Sequence, residues 1–180
     1  MLPEDKLRAT AARIRLVAFD VDGVLTDGSI LFGDDGTEHK SFQAQDGLGL
    51  VMLQDQGISV AIVSSRTSGV VTRRMSELGI THVLQGVKDK RLALDGLLRE
   101  LALEPEDMAF VGDDLVDLPA LALAGLAIAV ANARPQVIAR ADWTTAAAGG
   151  HGAAREVCDM LLEANGRLDG CIEKYSGQKS

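Results

Sequence analysis

Asp20 and Asp22 stand two residues apart in the segment Val17-Ala18-Phe19-Asp20-Val21-Asp22-Gly23-Val24-Leu25-Thr26-Asp27-Gly28. In extended backbone that spacing puts both carboxylates on one side and turns Val21 toward the core. Gly23 then lets the chain turn tightly. Two carboxylates this close repel each other unless a cation lies between them. A hard divalent ion such as Mg2+ fits, because it takes oxygen ligands from one or two carboxylates and keeps room for water and phosphate.

Further along the chain, other reactive groups follow apolar runs: Ser64, then Lys90, then Gly112-Asp113-Asp114 with Asp117. A phosphate ester would use all of them. Its charge calls for a cation, an ammonium and hydroxyl donors. A carboxylate can attack phosphorus and divide one hard step into two. Asp22 can protonate the leaving alcohol and later take a proton from water. Each group alone has a plain structural reading, since Asp is common in turns and Ser in helix caps. It is the ordered set that points to a site at Asp20, Asp22, Ser64, Lys90 and Asp113.

The elements needed to hold these groups can be read from the apolar pattern. Residues 14–19, 58–63, 81–84, 108–111 and 126–130 read as buried strands. Helical patterns occupy 3–12, 46–56, 68–78, 89–103, 134–140 and 152–164, several of them stopped by Gly. The alternation predicts an α/β fold with a doubly wound parallel sheet. In such sheets ligands sit beyond the carboxyl ends of the strands, where strand order reverses. Residues 28–42, with the turn Gly33-Asp34-Asp35-Gly36, predict a β-hairpin flap. Residues 1–180 read as one domain, and 166–180 as a mobile tail without a core signal.

Composition narrows the partners. The net charge of −8 disfavours nucleic acid and anionic membrane, both of which need a basic face. No apolar run is long enough to span a bilayer, and the first residues lack a signal-peptide core. Cys158 and Cys171 have no CxxC spacing, so two reduced structural thiols in a cytoplasmic protein are expected. His39, His82 and His151 share no ligand pattern.

The motifs Phe19-Asp20-Val21-Asp22-Gly23-Val24-Leu25-Thr26, Ser64, Lys90 and Gly112-Asp113-Asp114-Leu115-Val116-Asp117 together resemble the haloacid dehalogenase-like phosphohydrolases. The resemblance implies a Rossmann-like core, Mg2+ as cofactor and an aspartyl-phosphate on Asp20. It implies that Asp20, the Asp22 main-chain carbonyl and Asp113 hold the metal, with Asp114 and Asp117 supporting them. Since only the hairpin follows the first motif, the chain looks like the capless branch. Asp46-Gly47-Leu48-Gly49, Gln85-Gly86 and Gly149-Gly150-His151-Gly152 are similar to the phosphatases of that branch that act on 3-deoxy-D-manno-octulosonate 8-phosphate. This likeness implies a small sugar-acid phosphate substrate, a role in lipopolysaccharide biosynthesis and a homotetramer in which neighbouring hairpins and tails cover each site. It implies substrate-binding positions at Gln43, Ala44, Gln45, Asp46, Gly47, Arg66, Arg74 and Lys90. Gln45 and Val51 stand where the branch carries basic residues, which leaves a related nine-carbon sugar-acid phosphate or other sugar phosphate open. From other classes, a phospho-accepting receiver domain or a non-catalytic oligomeric module are the alternatives.

Overall fold

The structure is a computed structural model that describes residues 1–177. Its centre is β1 (Leu16–Phe19), four consecutive buried residues. Such a run suits a strand covered on both faces and flanked on both edges. Here β1 pairs in parallel with β4 (Ser59–Val63) and β6 (Met108–Gly112), with Phe19 opposite Ile62 on one side and Val111 on the other. The sheet has six strands in the order β5-β4-β1-β6-β7-β8, where β5 is His82–Leu84, β7 is Leu126–Ala129 and β8 is Trp143–Thr144.

The chain winds outward from β1 to β5, then crosses back and winds the other way from β6 to β8. Right-handed crossovers in opposite directions put the connecting helices on opposite faces. On one face α2 (Ala44–Asp55) packs against α7 (Ala153–Ala164), which also meets α1 (Glu4–Ala11). Near them lies α3 (Gly69–Glu77), whose Arg74 closes over Gly47. On the other face α4 (Lys90–Leu101) meets α5 (Leu118–Leu121). Strand order reverses between β1 and β6, so Asp20 and Asp113 leave the sheet side by side. The remaining short helix, α6 (Pro135–Ile138), links β7 to β8.

The hairpin forms as expected from β2 (Leu31–Phe32) and β3 (Glu38–His39), which pair antiparallel. Between β1 and α2 it is the only inserted structure, and β4 leads directly into α3. A sixth strand, β8, joins the five expected ones; at two residues it carries no periodic signal.

The expectation that 166–180 carries no core contact is corrected for residues 166–177. Leu168–Ser176 form helix α8, with Cys171 buried and Leu168 packed against the core. Arg167 donates to the Gln56 carbonyl, and Lys174 Nζ lies 2.6 Å from Asp55 Oδ2. Two apolar contacts three residues apart hold the helix, too few to read as a core in a polar segment. Residues 178–180 lie outside the described residues.

Asp46 joins α2 to α7, two 12-residue helices. Its Oδ1 accepts from the Arg155 amide at 2.8 Å, in the first turn of α7. The N-cap of α7, Gly152, has no side chain to do this. Burial pushes the Asp46 carboxyl up, and the Arg155 and Gly152 amides oppose that shift. A Cβ on Gly49 would sit 3.0 Å from the Cys158 Cβ, so glycine lets α2 and α7 approach closely. Removing a helix cap costs about 1 kcal/mol, with a range of about 0.5–2. Asp46→Ala should therefore lower the urea midpoint with the slope unchanged, and Asp46→Asn, whose amide oxygen can still accept from the Arg155 amide, should recover most of the loss. An Asp46→Ala midpoint equal to wild type would contradict the capping role.

Candidate active site

The β1–β6 ladder delivers Asp20, whose amide donates to the Val111 carbonyl at 3.0 Å. The strand then stops, and the chain folds into a loop around one carbonyl. Val21 O accepts from the amides of Leu25 and Thr26, both at 3.0 Å. Gly23 has φ +100° and its missing Cβ would lie 2.2 Å from Asp113 Oδ2. Any side chain there would both strain the backbone and strike a carboxylate. From behind, Gly150 donates to Val24 O at 2.9 Å. A Cβ on Gly149 would lie 1.7 Å from Gly23 O. The Gly149-Gly150 loop is therefore a brace for the Asp20–Asp27 loop, built of glycine because the backbones touch.

Lys90 comes from the first turn of α4, where Asp89 caps the helix by accepting from the Leu92 amide at 3.0 Å. Its Nζ lies 2.7 Å from Asp20 Oδ1 and 2.6 Å from Asp117 Oδ1, and the side chain is only 2 % exposed. Asp117 is wholly buried. Its second oxygen accepts from the amides of Asp113 at 2.9 Å and Asp114 at 3.2 Å. Both Asp117 oxygens are therefore engaged, and their work is to hold Lys90 and the loop after β6. Asp114 turns away to cap the next turn, accepting from Leu115 at 2.7 Å. Ser64 follows β4, is buried, and its Oγ accepts from the Arg66 amide at 3.1 Å.

These groups enclose a cavity of about 190 Å³ lined by Asp20, Asp22, Ser64, Ser65, Arg66, Lys90, Asp113, Asp114 and Val116. Its electrostatics are unbalanced. Asp20, Asp113 and Asp117 each place a carboxylate oxygen within 4.8 Å of the others, with Lys90 the ammonium among them. Burial and the Asp117 charge push the Asp20 carboxyl up to about 6, against the pull of Lys90. Burial, then Asp20, Asp117 and Asp114, push Asp113 up to about 7. Burial would lower Lys90, but Asp20 and Asp117 more than offset it and its ammonium is held above its ordinary range. Asp113 Oδ1 is buried with no hydrogen-bond partner. A buried orphan oxygen beside a second raised carboxylate, with an all-oxygen donor set, fits a hard divalent cation.

The structure brings most of the expected catalytic set together. Asp20, Asp22, Ser64, Lys90, Asp113 and Asp114 line one cavity. The Asp22 carboxylate lies outside the acidic cluster and is instead bound by Lys40 and Arg66. Among the expected substrate-binding positions, Arg66 and Lys90 line the cavity. Gln43, Ala44, Gln45, Asp46 and Gly47 form the start of α2, with Arg74 of α3 against Gly47, all outside its lining. There Gln43 caps α2 by accepting from the Asp46 amide at 3.0 Å and donates to Gln45 at 3.1 Å. Arg74 Nη2 occupies the space a Cβ on Gly47 would fill. The placement gives Asp46 and Gly47 a packing role that their position in a motif does not distinguish from binding. Lys40 and Glu38 of the hairpin reach the cavity rim without having been singled out, because a lone charge on an exposed hairpin carries no sequence signal.

Fold and cavity together are those of a phosphoryl-transferring hydrolase. Residues 72–157 match the family model described as haloacid dehalogenase-like hydrolase. The chain is 50 % identical over 161 residues to the 3-deoxy-D-manno-octulosonate 8-phosphate phosphatase KdsC of Escherichia coli (strain K12), covering 89 % of this chain and 86 % of that one. It superposes with a TM-score of 0.94 on the crystal structure of the phosphatase of that name from Moraxella catarrhalis in complex with magnesium ion, phosphate ion and KDO. That protein is 44 % identical, with 96 % of this chain and 99 % of the other covered. A cobalt-bound deoxy-D-mannose-octulosonate 8-phosphate phosphatase from Haemophilus influenzae gives a TM-score of 0.89 at 39 % identity, covering 94 % and 99 %. The chain belongs to the haloacid dehalogenase-like hydrolases and, within them, to the family of the 3-deoxy-D-manno-octulosonate 8-phosphate phosphatases.

The raised carboxyls have a consequence for stability. In the metal-free protein Asp20 and Asp113 bind protons more tightly than in the unfolded chain, where Asp titrates near about 4. The folded state therefore holds more protons between about pH 4 and pH 7, and stability falls as pH rises through that window. Without divalent cation, Asp113→Asn should gain stability over wild type between pH 5 and pH 8. Thermal melts across that range check this; parallel curves for the two proteins would contradict it.

Proposed function

We propose that the chain hydrolyses 3-deoxy-D-manno-octulosonate 8-phosphate to 3-deoxy-D-manno-octulosonate and inorganic phosphate, with Mg2+ as cofactor. The observation that carries the reading is the buried Asp20 carboxylate, fixed by one oxygen to Lys90 at 2.7 Å. Beside it stands Asp113, whose Oδ1 has no partner. Asp20, the Asp22 main-chain carbonyl and Asp113 would hold the metal, which supplies positive charge against the phosphoryl oxygens.

Asp20 attacks phosphorus through the oxygen that Lys90 does not hold. As the Asp20–phosphorus bond forms, the ester oxygen leaves and takes a proton from the Asp22 carboxyl. The Asp22 carboxylate then removes a proton from water, whose oxygen attacks the phosphorus of the aspartyl-phosphate and frees Asp20. Lys90 and the Ser64 hydroxyl bind the phosphoryl oxygens throughout. Asp117 keeps Lys90 in place. Phosphate monoesters are among the slowest esters to hydrolyse unaided, which is the reason for so dense a charge constellation.

The substrate end, with Arg66 at the rim, is suited to a sugar acid. Residues Ile30, Leu31 and Phe32 on the hairpin are exposed, which supports self-association through that flap into a homotetramer. Among the described residues no helix is long and apolar enough to cross a membrane. A place in the cytoplasm, in the supply of this sugar acid for lipopolysaccharide, completes the reading.

Phosphate release should be measured on a panel holding the octulosonate 8-phosphate, a nine-carbon sugar-acid phosphate and neutral sugar phosphates. The first should give the highest kcat/KM, and chelation of Mg2+ should abolish turnover. A preference for a neutral sugar phosphate would sink the substrate assignment. Asp20→Asn should lower kcat by about 10³-fold or more, as loss of a nucleophile does in other hydrolases. Light scattering should give four chains per particle, and an active monomer would remove the tetramer.

A further inference from the structure

The hairpin is mostly exposed, yet Lys40, the residue after β3, has a side chain only 1 % exposed. A buried ammonium is costly unless paired. Its partners are Asp22 Oδ1, with which it forms a short ion pair, and Glu38 Oε1 at 3.5 Å. Glu38 Oε1 also accepts from Arg66 Nη2 at 3.1 Å, and its other oxygen accepts from Ser68. The hairpin is thus tied back onto the loop after β4 of its own chain, with Asp22 at the centre.

The two cations on Asp22 are not equivalent. Lys40 is buried and hydrogen-bonded to Oδ1. Arg66 is 41 % exposed, and its Nε lies 3.7 Å from Oδ2, beyond hydrogen-bond range. A group that gives and takes a proton works best with one oxygen held and the other open. The Asp22 carboxylate is arranged in this way.

We propose that Lys40 is a positioning residue for Asp22: it anchors Oδ1 from the hairpin and so presents Oδ2 to the leaving oxygen and then to water. The proposal rests on Asp22 being the acid/base. Lys40 keeps its own proton throughout. The proton passes from Asp22 Oδ2 to the ester oxygen as the ester bond breaks. Arg66 is held by Glu38 rather than by Asp22, so it leaves Asp22 Oδ2 open.

A lost or misplaced acid matters most when the leaving group is a poor one. An alkoxide such as the sugar oxygen needs protonation, whereas p-nitrophenolate leaves without it. Single-turnover release from the octulosonate 8-phosphate and from p-nitrophenyl phosphate should be compared in wild type, Lys40→Met, Lys40→Gln, Lys40→Arg and Asp22→Asn. The alkyl-to-aryl rate ratio should fall about tenfold or more in Lys40→Met and Lys40→Gln, towards the Asp22→Asn value, and recover in Lys40→Arg. Adding Lys40→Met to Asp22→Asn should lower the ratio no further, because the lysine acts through Asp22. Equal slowing of both substrates by the Lys40 variants, with Asp22→Asn lowering the ratio, would overturn the proposal alone. An unchanged ratio in Asp22→Asn would overturn the acid/base reading and the proposal with it.

Discussion

Three carboxylates meet in the buried space between β1 and β6, and one ammonium, that of Lys90, stands among them. Much of the surrounding structure serves this imbalance. Asp117 is satisfied entirely by protein, with Lys90 on one oxygen and two amides on the other. Asp20 is half satisfied, through Lys90. Asp113 is left with an orphan oxygen and a carboxyl held near neutrality by burial and by its neighbours. The gradient from satisfied to unsatisfied runs from scaffold to reactive centre. It is the arrangement expected when a cation is the missing member, since full pairing within the protein would leave nothing for metal or phosphate to gain.

Holding such a cluster requires backbones that cannot drift. Gly23 brings the loop after β1 against Asp113, and Gly149 and Gly150 bring a second loop against the first. The parallel ladder on both edges of β1 fixes where Asp20 emerges. Asp46 fastens α2 to α7 across 109 residues of sequence. The same economy appears at the rim, where one hairpin carries Lys40 to Asp22 and Glu38 to Arg66.

What was legible in the sequence follows from this physics. Asp20, Ser64 and Asp113 each end a continuous apolar run, and such a run in a parallel sheet points to its carboxyl end. Lys90 opens an amphipathic helix, so its place in the first turn could be read as well. The cluster could be anticipated because strand order, not side-chain detail, gathers it. Contacts that depend on a loop folding back could not. Lys40 looks like any lysine on a hairpin until the hairpin closes. Asp46 stands at a helix start whether it binds a ligand or caps a distant helix. β8 and α8 were missed because two residues, or two apolar contacts, leave no period to detect. Residues lost from a resemblance, such as the basic positions now held by Gln45 and Val51, say what is absent from a surface and leave open what replaces it.

The central claim is that the deficit of positive charge around Asp20 and Asp113 is a Mg2+ site. It is tested most directly by calorimetric titration of Mg2+ into the metal-free protein at pH 6.5, in buffers of different ionisation enthalpy. One ion should bind per chain and displace protons from the raised carboxyls, with both affinity and proton release reduced in Asp113→Asn. Binding without proton release, or equal binding by wild type and Asp113→Asn, would contradict it.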